Sequence, residues 1–267
     1  LVYKSSQKHP LIPQVYDPCM IFGINGRKYL TLDGKTYDYG AGSFFTLLVP
    51  MPVACEIITA SPERPFIAMV IGLDADRLSN LLLRMNRHFE APSADPEKQR
   101  PELLFSRKTD PRMFDLLERL LDTLDDPCEA DIVGNGIIDE IYYRILKEEQ
   151  GGALRFHLQE SGQIRQIARA VDFVHQHIEE TVSVDKLADL VYMSTSGFHK
   201  KFKDLMHISP LQYIKSIKLN KAKNHILNGK NASEASQMVG YNSIAQFSRE
   251  YKRYFGYLPS KTVEALV

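Results

Sequence analysis

The sequence predicts an α+β protein of two domains: an antiparallel β domain with flanking helices, then an all-α domain. Three observations lead there. Residues 19–73 are short runs rich in β-branched and aromatic side chains, punctuated by glycine and proline. From residue 163 the apolar residues recur instead at three- and four-residue steps, the period of a helix. Charge divides at the same place. Residues 163–267 hold 15 Lys and Arg against 9 Asp and Glu, the remainder 18 against 24, so a net charge of zero conceals halves of +6 and −6.

A chain of 267 residues has room for two ordinary domains, and 44% hydrophobic with 25% charged residues marks a globular chain able to bury a core. Its apolar runs fall short of a membrane span and no signal-peptide pattern opens it, so the expected location is the cytoplasm, with no membrane partner. The expected boundaries are a β domain over 1–150, a linker over 151–162 and a helical domain over 163–267.

In the β domain, Lys28 to Leu32, Asp33-Gly34 and Lys35 to Tyr39 read as a hairpin with a type I′ turn. Ser43 to Val49, Ala54 to Ala60 and Pro65 to Leu73 are further strands, separated by Pro50, Pro52 and Pro62, and short antiparallel strands so spaced suggest a sandwich or barrel. A helix over 74–88 turns Leu78, Leu81, Leu82 and Met85 to one face, and 90–108 reads as a loop. A second helix starts at Asp110-Pro111 and carries Phe114, Leu117, Leu121 and Leu124. A third, 137–149, carries Ile138, Ile141, Tyr142 and Ile145 until Gly151-Gly152 stops it. Such apolar faces either pack onto the β domain or pair with a second copy.

Enzymatic chemistry finds little support. Residues 10–74 contain no histidine, and His9 and His88 cannot form the close pair of a metal site, so neither metal nor cofactor is expected. No phosphate-binding glycine loop, serine elbow or HExxH appears. Cys19 and Cys55 lie in apolar runs and are expected as small buried hydrophobes, whereas a thiol that senses an electrophile would need a lowered pKa.

The helical domain repeats one device. SVDKLADLVYMSTSGFHKKFKDL (183–205) and ASEASQMVGYNSIAQFSREYKRYFG (232–256) each give a short amphipathic helix, a break, and a second helix with polar and basic residues outside. That is a helix-turn-helix, whose second helix enters the major groove of double-stranded DNA. In the first unit Ser183 and Ser194 cap the helices, Leu187, Ala188 and Val191 face inward with Phe198, Phe202 and Leu205, and Ser196, His199, Lys200 and Lys203 are left outside. In the second, Phe247, Tyr251 and Phe255 face inward, Ala245, Arg249 and Lys252 outward, and Gly240 makes the turn. Between them Ser209-Pro210 opens a helix with Leu211, Ile214, Ala222 and Ile226 on its apolar side, ended by Gly229. Its eighteen residues span roughly 27 Å, close to the ~34 Å between successive major-groove faces.

The segment from about Ile164 to Pro259 resembles the DNA-binding domain of the AraC/XylS family of transcription regulators, most specifically in GYNSIAQFSREYKRYFGYLPS. The stretch GRKYLTLDGKTYDYGAGSFFTLLVPMPVACEIITA is similar to the cupin-like N-terminal domain of one branch of that family. Two positions depart from the pattern: Tyr192 stands where the first turn usually has glycine, and Ser236 where alanine is usual. The resemblance implies a cupin-like β-barrel that binds a small-molecule effector, and dimerisation through the helix pair carrying Leu117, Leu121, Ile138 and Ile145. RNA polymerase is the further partner expected of a regulator. The resemblance also implies base contacts at Ala245 and Arg249, with Ser196, His199 and Lys200 the matching outward group on the first unit. Lys201, Lys203, Lys252 and Arg253 flank these and are expected at phosphates. Phe22, Tyr29, Tyr39 and Phe45 alternate along strands as effector-contact candidates, although alternation does not say which face is inside.

Overall fold

Asp33 and Gly34 both take positive φ, 49° and 74°, the type I′ turn that joins β4 (Arg27–Leu32) to β5 (Lys35–Gly40). The structure is a computed structural model and describes residues 1–87, 104–147 and 163–266. Around the hairpin lie β1 (Val2–Ser5), β2 (His9–Tyr16), β3 (Cys19–Asn25), β6 (Ser43–Leu47), β7 (Met51–Thr59), β8 (Phe66–Gly72) and β9 (Leu104–Lys108). Every ladder is antiparallel, and the strands form two sheets, ordered β1-β8-β3-β6-β9 and β2-β7-β4-β5.

The second sheet shows why its inner face is inner. Lys28, Leu30 and Leu32 alternate inward on β4, as do Met51, Val53, Cys55 and Ile57 on β7. Pro52 is tolerated within β7 because it pairs with Val15 of β2 where β4 has not yet joined, the β4 ladder beginning at Ala54. Two segments differ from the sequence expectation. Residues 2–5 and 9–16 form β1 and β2, and residues 104–108, expected as loop, form β9 against β6. The prolines and charges of 90–108 masked the short LFSRK strand, whose ladder lies with residues sixty positions earlier.

Three helices cover the β domain. α1 (Ala75–Met85), capped by Asp74, buries Leu78, Leu81, Leu82 and Met85 as expected. α2 (Pro111–Asp122) buries Met113, Leu116, Leu117 and Leu120, leaves Phe114 half-buried, and exposes Leu121 and the following Leu124. Both stripes satisfy a helical period, and packing chose the other one. A short helical turn and a wider π turn lead into α3 (Asn135–Lys147), which buries Ile137, Ile141, Tyr142, Ile145 and Leu146. Tyr142 Oη donates to the Gly72 carbonyl at 2.8 Å and accepts from Asp74 N, fixing α3 to the junction of β8 and α1. The expected dimer contacts need correction here: Leu117 and Ile145 are each only 2% exposed and belong to the core, while Ile138 is half-buried. The Gly151-Gly152 stop and the linker 151–162 lie outside the described residues.

The helical part runs α4 (Gln163–Gln176), α5 (Val184–Leu190), α6 (Thr195–Met206), α7 (Pro210–Leu227), α8 (Ala232–Met238) and α9 (Ile244–Phe255). α7 starts at a capping box, Ser209 with Gln212, and Leu211, expected on its apolar side, is exposed. Its amphipathicity is weak for a reason: α6, α8 and α9 pack on it, and so do β2 and β7. Ser216, Lys218 and Asn220 are consequently buried along with its apolar residues, each with a hydrogen bond. The core of the first unit is continuous with that of the β domain, while Leu219, Ala222, Ile226, Ala235, Val239, Phe247, Tyr251 and Phe255 form a separate cluster.

Candidate nucleic-acid interface and ligand pocket

The two helix-turn-helix units share the two hydrogen bonds that close their turns, and the second has one more residue before its recognition helix. In the first, Tyr192 N donates to Asp189 O and Met193 N to Ala188 O; in the second, Gly240 N donates to Gln237 O and Tyr241 N to Ser236 O. Val191 and Val239 end their helices with nearly equal dihedrals. Tyr192 and Gly240 then both take positive φ, 57° and 70°. The recognition helices α6 and α9 begin at Ser194 and Ser243, each side chain accepting from the third residue onward. Phe198, Phe202 and Leu205 of α6 are buried, as are Phe247, Tyr251 and Phe255 of α9.

On the opposite faces Ser196, His199, Lys200, Ala245 and Arg249 are all exposed. Arg249 has no ion pair among the described residues, so its guanidinium is available to a partner. Of the flanking cations Lys203, Lys252 and Arg253 are exposed and Lys201 is half-buried. Lys203 and Arg253 also line a cleft of about 770 Å³ that the helices form with the β domain, opposite Thr31, Leu32 and Asp33.

Several contacts hold the units in register. Glu250 of α9 pairs with Lys215 of α7 at 2.9 Å and accepts from Tyr241 Oη at 2.9 Å and Gln246 Nε2 at 3.3 Å. Burial pushes the Glu250 carboxyl up, but these hydrogen bonds and the Lys215 charge outweigh it and hold the carboxyl below its usual range. Lys218 Nζ donates to the Glu180 carbonyl at 2.9 Å. A Cβ on Gly240 would lie 2.2 Å from the Glu179 carbonyl oxygen, so the turn of the second unit touches backbone leading into the first.

In the β domain the four aromatic candidates separate. Phe22, Tyr39 and Phe45 are packed in the core, Tyr39 stacked on Phe45, whereas Tyr29 alternates to the outer face under Arg27. Sequence reading missed Lys28. Its side chain is 6% exposed and points inward among the rings of Tyr3, Tyr16, Tyr39 and Phe66, with Nζ donating to Tyr16 Oη at 2.8 Å. No carboxylate pairs with it among the described residues, and burial lowers its pKa. The signal was present, since strict alternation puts Lys28 on the same side as Leu30 and Leu32. Lys28 lines a pocket of about 160 Å³ with Tyr3, His9, Gln14, Cys55 and, from α7, Lys223. Lys223 also has its pKa lowered by burial, and Gln14 and Lys223 continue into a neighbouring cavity of about 340 Å³. Cys19 and Cys55 stand as buried thiols, while Cys128 is exposed: burial pushes Cys19 up to about 12, with Asp17 adding to it, and raises Cys55 despite Lys28 and Tyr16 nearby.

Comparison with known proteins places these features together. Residues 1–153 match the family model described as the AraC-type transcriptional regulator N-terminus, and 187–265 match a helix-turn-helix domain. The Msm operon regulatory protein of Streptococcus mutans is 24% identical over 93% of this chain and 85% of its own length. The probable transcriptional regulator LumQ of Photobacterium leiognathi is 31% identical, over 34% of this chain and 37% of that protein. ToxT from Vibrio cholerae, solved with an unsaturated fatty acid bound, shares the fold at a TM-score of 0.65 and 13% identity, over 97% of this chain and 92% of that one. A family model that spans more than half the chain, followed by a helix-turn-helix match where the paired units lie, settles the identity: this chain belongs to the AraC-type transcriptional regulators.

Proposed function

We propose that the chain is a cytoplasmic, non-enzymatic regulator that reads double-stranded DNA with α6 and α9 and answers to a small carboxylate held between its two parts. One observation supports the first half above all. Two matched helices, each buried along one side, leave Ser196, His199 and Lys200 on α6 and Ala245 and Arg249 on α9 facing outward. Hydroxyl, imidazole and ammonium donors meet base edges, an arginine meets guanine at two points, and an alanine methyl meets thymine. Lys201, Lys203, Lys252 and Arg253 position the units on phosphates, with RNA polymerase the next partner. Sequencing of DNA fragments selected by the purified chain tests this reading: absence of any enriched motif refutes it.

The effector half rests on Lys28. A buried ammonium with no counter-charge is costly unless an anion arrives. Lys223 faces the same pocket from α7, and ToxT has been captured with a fatty acid. The effector is therefore read as a carboxylic acid with an apolar tail, its carboxylate between Lys28 and Lys223. A thermal-shift series of carboxylates against the full chain is the test, because a ligand that binds only the folded form raises the transition. The shift should vanish in Lys28→Met and Lys223→Met. No shift with any carboxylate favours a regulator that binds DNA constitutively and uses its β domain only to dimerise. Dimerisation itself belongs to the exposed Leu121, Leu124, Ile132 and Val133 rather than to Leu117 and Ile145. Units over 1–150 and 163–267, joined by 151–162, complete the proposal.

A further inference from the structure

The paired units contain an internal control. Tyr192 and Gly240 occupy the same place in the same turn, with equivalent hydrogen bonds on either side. Glycine adopts positive φ without steric cost, whereas a side chain with a Cβ is strained there. Strain of this kind persists only where the surroundings over-determine the conformation. They do so here: Tyr192 N and Met193 N are both held by α5 carbonyls, and Gln166 Nε2 on α4 donates to the Val191 carbonyl at 2.6 Å. At Gly240 a Cβ would strike Glu179, so glycine is required by packing. Tyr192 faces the opposite situation, open solvent.

What the first unit gains from the tyrosine is not found in its own fold. The side chain is 87% exposed, and its hydroxyl has no hydrogen-bond partner among the described residues. No core contact offsets the backbone strain. Yet Tyr192 lies two residues before Ser194, the cap of α6, and Ser194, Thr195 and Ser196 are all exposed. A residue two positions from the cap lies within ~7 Å of it along the chain. The helix end that enters a major groove is flanked by the sugar-phosphate strand, where a tyrosine can donate from its hydroxyl and lay its ring on sugar.

The geometry points to Tyr192 as a DNA-backbone contact of the first unit, a strained aromatic that anchors α6 beside the groove without reading sequence. This rests on the DNA-binding reading above, and the variants can separate the two. Tyr192→Gly relieves the strain and removes the ring; Tyr192→Asn tolerates the same backbone conformation and removes the ring; Tyr192→Phe keeps strain and ring and removes only the hydroxyl. With full-length protein and a selected site, Tyr192→Gly and Tyr192→Asn should bind about five- to tenfold more weakly with unchanged base preference. Their melting temperatures should equal or exceed that of the wild type, since a merely structural tyrosine would not lower binding while the fold is kept. Tyr192→Phe separates the hydroxyl's share of the loss from the ring's. Wild-type affinity in both Tyr192→Gly and Tyr192→Asn overturns the inference. So does a defect that appears only in transcription with polymerase present, which would assign the ring to a protein partner. Arg249→Ala measured in parallel separates the failures: if it changes base preference while Tyr192→Gly and Tyr192→Asn both bind with wild-type affinity, the tyrosine inference falls and the DNA reading stands.

Discussion

Arg249 and Lys252 lie three residues apart on α9, both exposed, and are expected to behave differently. An arginine bidentate to guanine contributes about 1–3 kcal/mol of discrimination, so Arg249→Ala should lose that on the preferred site and relax one base pair. A lysine on phosphate carries no sequence information. Lys252→Ala should weaken all sequences alike and reduce the salt slope by about one unit. Site selection with both variants measures the difference, and unaltered preference in Arg249→Ala would move that side chain to the backbone. Glu250 gives a pH prediction. Its carboxyl is held below the ordinary range in the folded chain, so the stability it adds is full above the unfolded value, about 4.3. That contribution is lost as pH falls through the lower folded value. Glu250→Gln should cost about 1–2 kcal/mol at neutral pH, and its deficit in urea denaturation should shrink as the pH is taken below about 4. A deficit constant across that window would mean that the Lys215 pair contributes no charge-dependent stability.

At the scale of elements, Gly240 separates what a turn needs from what packing needs. Positive φ alone would make alanine strained, and the 2.2 Å approach to the Glu179 carbonyl adds a backbone clash that no side-chain rotation relieves. Gly240→Ala should cost at least about 2–3 kcal/mol and show as a lower denaturation midpoint. The sequence already marked this glycine as a turn former, because periodic helices stop on both sides of it, but its contact with residue 179 is tertiary and leaves no local trace. The same division explains the other elements. α1, α6 and α9 could be read closely because caps, stripes and stops are local and agree. β9 could not, because a five-residue strand acquires its meaning from β6. α2 carries two competing apolar stripes, and only its packing against α3 and the common core selects Met113, Leu116, Leu117 and Leu120. Lys28 was legible from alternation, though its aromatic surroundings were not, since Tyr3, Tyr16 and Phe66 come from other strands.

For the whole molecule, the apolar surface that packing left over makes the next prediction. Leu124 is 60% and Ile132 68% exposed, with Leu121 and Val133 at 40% and 42%, on consecutive elements between the end of α2 and the start of α3. If two copies meet there, Leu121→Asp with Leu124→Asp should halve the mass seen by light scattering while leaving the melting temperature close to wild type, because neither residue belongs to the core. A dimer that persists with an intact fold would place the interface elsewhere. The charge division between the halves is also a whole-molecule property: the part that carries α6 and α9 bears the excess of Lys and Arg, as a polyanion partner requires.

The enclosure of α7 has a mechanical consequence. One rigid shaft is gripped by both reading units and, on its remaining side, by β2 and β7 and the Pro50 carbonyl, which accepts from Tyr213 Oη at 3.1 Å. Lys223 sits on the same shaft. A force applied through that lysine reaches the two readers in common mode, because Lys215 ties the shaft to Glu250 of α9 and Lys218 ties it to the Glu180 carbonyl in the backbone leading into the first unit. Such a coupling transmits displacement of the pair but no rotation of one reader against the other. An effector acting this way alters how often the protein engages its operator, and leaves the distance between the two segments of DNA that it grips unchanged.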